Sequence, residues 1–537
     1  MQALFQSSHF SLESRLQGKN NCHLCDRLSN TTVSRKCAVL SSSRKISVVP
    51  KKFTGLNVNN RSLIVRSSKP EDSNKSNDNA QPKSAAKMTN AELDKEIISI
   101  SLPMLATLAA DPIAGLVDTA YLGRLGASEL AGVGVALSIF NTVSKLFSVP
   151  LLSVTTSSVA TAGGKGINAL SCAASSSLLI ASVIGLTQAL VLGLGGPRAQ
   201  RMWGILPTSN AFRPSLQFLN IRAIGAPITI LLLTLQGIFR GLADTRATFY
   251  ATVLSNAINV FLAPVLVFNA GWGVGGAAAA TVFAQFVPAT LLFFWLRQRV
   301  NLTAAGKDTL LQVLSLFKPT GFLILRTVSI TISYAVATAM VARAGSLSTA
   351  SHQICFQIWL ASSLLSDSLA VAAQSLMARC IGAEDLGAAD RVAKRTSSIA
   401  LVLGLFLSAV MAIAGVRIPR LFTKDPEVLR LIKIIFPLLV LTQPINSQAF
   451  VWDGILYGAG GFKYAAVAMA MAAAPAVAVM TGGSHLAAGK PELQLVAVWA
   501  GLATLMTMRW FTIMVPYVTR SGPFKRLNFA TAKAAEK

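Results

Sequence analysis

Apolar runs about 20 residues long recur along this chain, from IISISLPMLATL at residue 97 to VAVWAGLATLMTM at residue 496. Twenty residues of α-helix span about 30 Å, the thickness of a bilayer's hydrocarbon core. In lipid each backbone N–H and C=O must find its partner within its own segment, so runs of this kind must be helices. Twelve candidate spans fall near residues 97–122, 130–156, 172–195, 214–238, 248–269, 274–297, 318–342, 350–378, 397–416, 430–457, 464–482 and 493–517. Several exceed 20 residues, so tilts or bends are expected. Composition agrees, with 53% hydrophobic residues, 13% charged and a mean hydropathy of +0.55. Soluble domains carry roughly 25% charged residues. The expected fold class is an all-α polytopic membrane protein with twelve transmembrane helices.

Net charge is +26, which in a soluble chain would suggest nucleic acid. Here residues 1–70 hold 12 Lys or Arg against only Glu13 and Asp26, and the remaining excess is spread over short loops and tails. Such charges face anionic headgroups. Membrane lipid is therefore an expected partner and nucleic acid is not. The same 70 residues contain 13 serines and no apolar secretory core. Serine-rich, basic and acid-poor is the composition of an organelle transit peptide. Residues 1–68 are read as one, directed to a plastid because an Arg-rich amphipathic helix is lacking. Residues 69–90 read as a disordered polar linker, and 521–537 as a basic tail. Cys22-His-Leu-Cys25 is half of a zinc pattern without its second half, and four histidines in the whole chain form no cluster. No metal or cofactor is expected. Cys172, Cys355 and Cys380 stand singly, and nothing demands a disulfide. A monomer is expected.

A polar break, RQRVNLTAAGKDTLLQ, separates the sixth span from the seventh. VDTAYLGRLGASELAGVGVALSI from Val117 aligns without gaps on VATAMVARAGSLSTASHQICFQI from Val336, an offset of 219. QGIFRG at 236–241 likewise resembles DGILYG at 453–458, an offset of 217. Two matches at nearly one offset indicate a duplication, with an N-terminal lobe over 91–303 and a C-terminal lobe over 304–520. Six spans is an even number, so both copies enter the bilayer in the same sense. Parallel repeats of this kind are a transporter architecture, with solute sites between or within the halves. Lys and Arg divide almost evenly between the two sets of loops. The basic termini tip the even side weakly towards the stroma or cytosol.

Ionisable residues in mid-span are costly and usually face a cavity or a partner. They are Asp111, Asp118, Lys145, Arg222, Arg326, Asp367 and Asp453. Seven helical residues return to within about 20° of the same face, so Asp111 and Asp118 share one. Pro112 removes a helical donor beside them and permits a bend. The bland alternative makes Asp118 an interfacial helix-end residue. Arg222 and Arg326 suit a carboxylate-bearing solute through their planar forks. They could instead snorkel, or pair internally with Asp367 or Asp453. Lys145 is expected to face the cavity, and His352 to be a neutral core residue.

The runs AADPIAGLVDTAYLGRLGASELAGVGV, FNTVSKLFSVPLLSVTTS, GAPITILLLTLQGIFRGLADTRATFYAT and SHQICFQIWLASSLLSDSLAVAAQ strongly resemble the MATE (multidrug and toxic compound extrusion) family. The likeness covers about residues 91–520 and points to the plant branch that includes citrate exporters and plastid members. It implies two six-helix bundles arranged as a V, rocking between inward- and outward-open states and exchanging a solute for H⁺ or Na⁺. The family's cation-coupling acid falls on Asp118, with Asp111 and Asn259 beside it in the expected set. Arg222, Arg326, Lys145, Gln353, Asp367 and Asp453 are the expected solute-binding residues, and Pro112, Pro150 and Pro264 the expected hinges. Three family acids are missing. Asn259-Val-Phe-Leu-Ala263-Pro264 has alanine where relatives carry Asp, DGILYGAGGF has Gly461, and VTTSSVATA lacks the acid that often follows it. Asp118 and Asp111 are thus left to couple nearly alone.

The resulting expectation is a secondary active transporter, coupling H⁺ or Na⁺ to antiport of an organic anion such as citrate across a plastid membrane. The alternatives are efflux of cationic or phenolic compounds, or a weakly coupled uniporter. An enzyme is not expected, since no HExxH, GxSxG or histidine cluster is present.

Overall fold

The computed structural model describes residues 89–203, 205, 207–302, 307–415 and 417–527. Every regular element among them is helical. The first set is α1 (Asn90–Gly123), α2 (Ala127–Lys165), α3 (Ile167–Met202), α4 (Phe212–Gly241), α5 (Thr245–Pro264) and α6 (Gly273–Arg299). The second set begins with α7 (Lys307–Arg343), α8 (Ser346–Gly382), α9 (Leu386–Ala414) and the single turn α10 (Arg417–Arg420). It continues with α11 (Pro426–Leu441), α12 (Gln443–Gly458), α13 (Phe462–Leu486) and α14 (Pro491–Val518). Eleven of these helices are each long and apolar enough to cross a bilayer, and α11 with α12 makes a twelfth crossing.

That twelfth crossing, expected near 430–457, is bent. α11 and α12 meet at Thr442 with a bend of 51°. The cause is Pro444, which has no N–H to offer the carbonyl of Val440. Ser408 on α9 supplies the missing donor, its hydroxyl reaching the Val440 oxygen at 2.9 Å. A broken helix survives in hydrocarbon only when a neighbour satisfies the freed carbonyl in this way.

Helix pairing is densest inside each set. α2 and α3 pack on α4, α4 on α6 and α1 on α5, while α8 and α9 pack on α12 and α13 on α14 and α7. Three apolar clusters belong to one set each. A fourth contains Ile97, Leu151 and Ile230 together with Leu376, Ile455 and Tyr517, and so joins the two six-span bundles.

Polar contacts between the bundles gather on the membrane face where α1 begins. Gln374 on α8 donates to the Ser153 carbonyl and to the Ser157 hydroxyl of α2, both at 2.8 Å. Arg379 pairs with Glu96 at 2.6 Å, and Arg395 holds Asp94 through two nitrogens at 2.5 Å.

The sequence repeat marks the same structural device in each half. Gly126 and Gly345 are the N-cap residues of α2 and α8, with φ of +149° and +114°. Glycine is the residue that tolerates this region. In QGIFRG a Cβ on Gly241 would lie 2.8 Å from the Thr156 carbonyl of α2. In DGILYG a Cβ on Gly454 would lie 2.2 Å from the Ala370 carbonyl of α8. Small residues four apart share a helix face and let two backbones touch.

Two boundaries differ from expectation. α1 starts at Asn90, inside the expected linker, because Thr89 and Glu92 form a capping box across the first turn. The expected tail from 521 opens with a 3₁₀ turn, Gly522–Leu527, whose Phe524 is 1% exposed and packs edge-on against Tyr517. Residues 1–68, most of the linker, Cys22, Cys25 and residues 528–537 lie outside the described residues.

Overpacking a closed contact costs about 1–3 kcal/mol. Gly454→Ala is therefore expected to lower the melting temperature of the purified full chain by several degrees. Gly134→Ala, where a Cβ meets nothing within 4 Å, is expected to leave it unchanged or raise it.

Candidate functional site

Four carboxylates and four guanidiniums are collected among the spans. Asp111 and Asp118 come from α1, Asp367 from α8 and Asp453 from α12. Arg222 and Arg240 come from α4, Arg326 from α7 and Arg509 from α14, and all four arginines are buried.

In the first bundle α1 packs on α5 and brings its acids against asparagines. Asn259 Nδ2 donates to both carboxylate oxygens of Asp118, each at 2.8 Å. One turn earlier, Asn256 Nδ2 reaches Asp111 Oδ1 at 3.4 Å. Neither carboxylate is sealed, since Asp118 is half-buried and Asp111 exposed. Arg222 lies over the Phe140 ring at 4.1 Å and donates to Gln285 Oε1 at 3.3 Å. The Thr229 hydroxyl donates to the same oxygen at 2.6 Å, which fixes Gln285 in place. Arg222 Nε has no hydrogen-bond partner among the described residues, and Asp118 acts on the guanidinium electrostatically. The arrangement is an amide-held carboxylate in electrostatic reach of a guanidinium that an aromatic face and an amide aim.

In the second bundle Asp453 is clamped by both Arg326 and Arg509. Arg509 Nε donates to it at 2.8 Å. Tyr457 lies under Arg326 and Phe450 under Arg509, at 5.3 and 4.5 Å. Arg326 and Asp453 were both expected to meet solute, but they meet each other. A dry site explains the pairing: a buried charge left alone costs far more than one compensated by its opposite. A solute carboxylate would have to displace Asp453 to reach Arg326.

The other expected residues distribute unevenly. Lys145 and Gln353 are exposed and join neither cluster. Asp367 is half-buried and makes no ion pair among the described residues, although it is an electrostatic neighbour of Arg240. His352 is buried, stacked on Phe356 at 5.6 Å and edge-on to Trp499 at 5.7 Å. Pro112 and Pro150 sit inside continuous helices. Pro264 does mark a change, because the chain passes from α5 into a π turn, Val265–Asn269, closed by Ala270 N–H on the Val265 carbonyl at 2.9 Å. No three His, Cys, Asp or Glu converge among the described residues.

The missing acid at Gly461 acquires a different meaning. Gly461 is the N-cap of α13, and its repeat partner Asp244 is the N-cap of α5, accepting from Ala247 N–H at 3.1 Å. A glycine there gives up a helix cap, worth a few tenths of a kcal/mol relative to Asp. Asn256, Gln285, Arg240 and Arg509 were not foreseen. Arg509 interrupts the apolar run LMTMRWFTIM, a signal that sequence alone contained. Arg240 lies just past the expected end of its span, and α4 in fact continues to Gly241.

Removing one partner of a buried ion cluster destabilises by about 3–5 kcal/mol. Asp453→Asn leaves two guanidiniums without a contacting carboxylate. Its melting temperature is expected to fall far more than that of Gln353→Ala, which touches no cluster, and equal melting would contradict the clamp.

A family model described as MatE matches residues 103–265 and again 323–481. The two matches start at an interval close to the 219 and 217 of the internal repeat. Among curated proteins, Protein DETOXIFICATION 45, chloroplastic, of Arabidopsis thaliana is 38% identical, over 81% of this chain and 80% of that protein. Protein DETOXIFICATION 44, chloroplastic, of the same plant is also 38% identical, over 82% and 85%. The fold is similar to that of the Vibrio cholerae MATE transporter VcmN in the bent form. That match has a TM-score of 0.75 at 17% identity, covering 82% of this chain and 99% of that one.

Proposed function

Because this chain belongs to the MATE family of membrane transporters, we propose that it exchanges H⁺ or Na⁺ for an organic anion such as citrate across a plastid membrane. It is a multi-pass transporter and not an enzyme. The observation that carries the coupling assignment is the two-bond hold of Asn259 on Asp118. A carboxylate fixed by a neutral amide keeps lone pairs free for an arriving cation. Binding there cancels the charge that faces Arg222, which changes what α1, α4 and α5 prefer as neighbours. Coupling follows when ion and solute favour different arrangements of the bundles. Asp111 with Asn256 is a second station on the same two helices.

The anion reading draws on Arg222, whose Nε has no hydrogen-bond partner among the described residues, and on the sequence's resemblance to the plant branch that includes citrate exporters. The plastid reading draws on the chloroplastic names of the two Arabidopsis relatives and on the serine-rich, basic first 68 residues. The Arg326–Asp453 pair favours a second reading, efflux of cationic or phenolic compounds, because it takes one expected anion-binding guanidinium out of service.

Citrate uptake into liposomes containing the full chain, with and without a pH gradient, separates these readings when Asp118→Asn is run alongside. The expected result is gradient-driven citrate movement, opposite in direction to H⁺, that falls at least about tenfold in the mutant; a loss of that size corresponds to about 1.4 kcal/mol. Citrate that moves with H⁺ would overturn exchange while keeping Asp118. Citrate indifferent to both gradient and mutation would mean a uniporter. Movement of a cationic dye without citrate would sink the anion reading and leave the efflux one.

A further inference from the structure

Three of the four buried arginines are engaged. Arg222 has Gln285 and Phe140, and Arg326 and Arg509 share Asp453. Arg240 is the fourth. It is 7% exposed, its Nε is an unpaired buried donor, and its guanidinium makes no hydrogen bond or ion pair among the described residues. Asp111 on α1 and Asp367 on α8 are its electrostatic neighbours, one from each bundle, but neither reaches it. A guanidinium withdrawn from water without a contact partner is strongly unfavourable. The C-terminal end of α4 offsets part of that cost through the helix dipole, yet offers no two-oxygen acceptor for the fork. Side chains on a helix lean towards its N-terminus, so Arg240 is carried from the end of α4 back into the bundle.

Packing does not demand this arginine. Its repeat partner is Tyr457, one residue before the crossing glycine Gly458 just as Arg240 is one before Gly241. Tyr457 is a neutral residue, stacked on Phe462 at 6.2 Å and lying under Arg326. Both halves make the same glycine crossing; the first carries an arginine at that helix position, where the second has a tyrosine under the ion-paired Arg326.

We propose that Arg240 is the docking point for a carboxylate of the transported solute, at the seam between the bundles. The proposal rests on the organic-anion reading and names a residue for it. The planar fork takes a carboxylate through two parallel N–H···O bonds. Asp111 and Asp367 act on an arriving anion only from beyond contact, and Coulomb energy falls with distance, so the contact with Arg240 decides. Each bundle contributes one of those flanking acids, so an anion on Arg240 is sensed by both halves at once.

The test is half-saturation by citrate, read from uptake into liposomes and from citrate-dependent thermal protection of the full chain in detergent. Wild type, Arg240→Gln and Arg240→Lys are compared, with a cationic dye as second solute. Arg240→Gln is expected to raise citrate half-saturation about 10- to 100-fold, the range of one lost charge-assisted contact. Arg240→Lys, which keeps the charge and loses the fork, is expected to raise it less, and half-saturation by the dye to stay within about twofold; a contact made only with the anion has no energy to remove from the dye. An unchanged citrate value in Arg240→Gln, or equal losses for citrate and dye, overturns the role of Arg240 alone. Wild type that neither binds nor moves citrate overturns the anion reading, and this proposal with it. If Arg240→Gln does not fold, the same comparison in Arg240→Lys decides.

Discussion

A charge cannot stand alone in hydrocarbon, and the interior of this protein is organised by how eight charged side chains answer that requirement. Asp453 answers it completely, with an arginine on either side. Asp118 answers it halfway, with an amide that donates two bonds and leaves the charge itself uncancelled. Arg240 contacts no counterion among the described residues. On the proposed function, this gradation separates structural charge from working charge. A fully clamped cluster resists exchange of partners, whereas a partly satisfied group is where an external ion or solute gains most by binding.

The duplicated scaffold makes the asymmetry legible. Each half has a glycine cap at the entry to its second helix and a glycine pair that lets two backbones touch. On that shared frame the polar residues diverge. Gln236, bonded to Thr252 at 3.2 Å, stands where the second half has Asp453. Arg240 stands where it has Tyr457, and the capping Asp244 where it has Gly461. The first half therefore holds Asp111, Asp118 and the uncontacted arginine, and the second half holds the clamp and Asp367. Rigid-body rocking of one bundle against the other would move these two kinds of site past each other while leaving each bundle's packing intact.

Much of this was readable from sequence, for physical reasons. Apolar runs of bilayer length leave helix as the only solution, so the spans and their number followed directly. The repeat was visible because the glycines that permit close crossing cannot be replaced without moving backbone, as Gly454 against Ala370 illustrates. Asp118 with Asn259 was reachable through the family resemblance. The bend at Thr442 was not, because Pro444 breaks a span only in concert with Ser408, thirty-six residues away in sequence. Arg326 stayed open between solute and Asp453 for a related reason. Whether a buried cation faces solute or a carboxylate depends on which helix lies opposite, and periodicity within one helix does not contain that information. Arg240 was missed because helix ends are set by caps and crossings rather than by hydropathy.

The most direct test of the account is proton movement itself, followed with a pH-sensitive dye trapped in liposomes that contain the full chain while solute is added outside. If Asp118 is the coupling carboxylate, solute addition changes the internal pH in wild type and not in Asp118→Asn, although solute still exchanges down its own gradient in the mutant. A solute-driven pH change that persists in Asp118→Asn would contradict the account and move coupling to another of the eight charges.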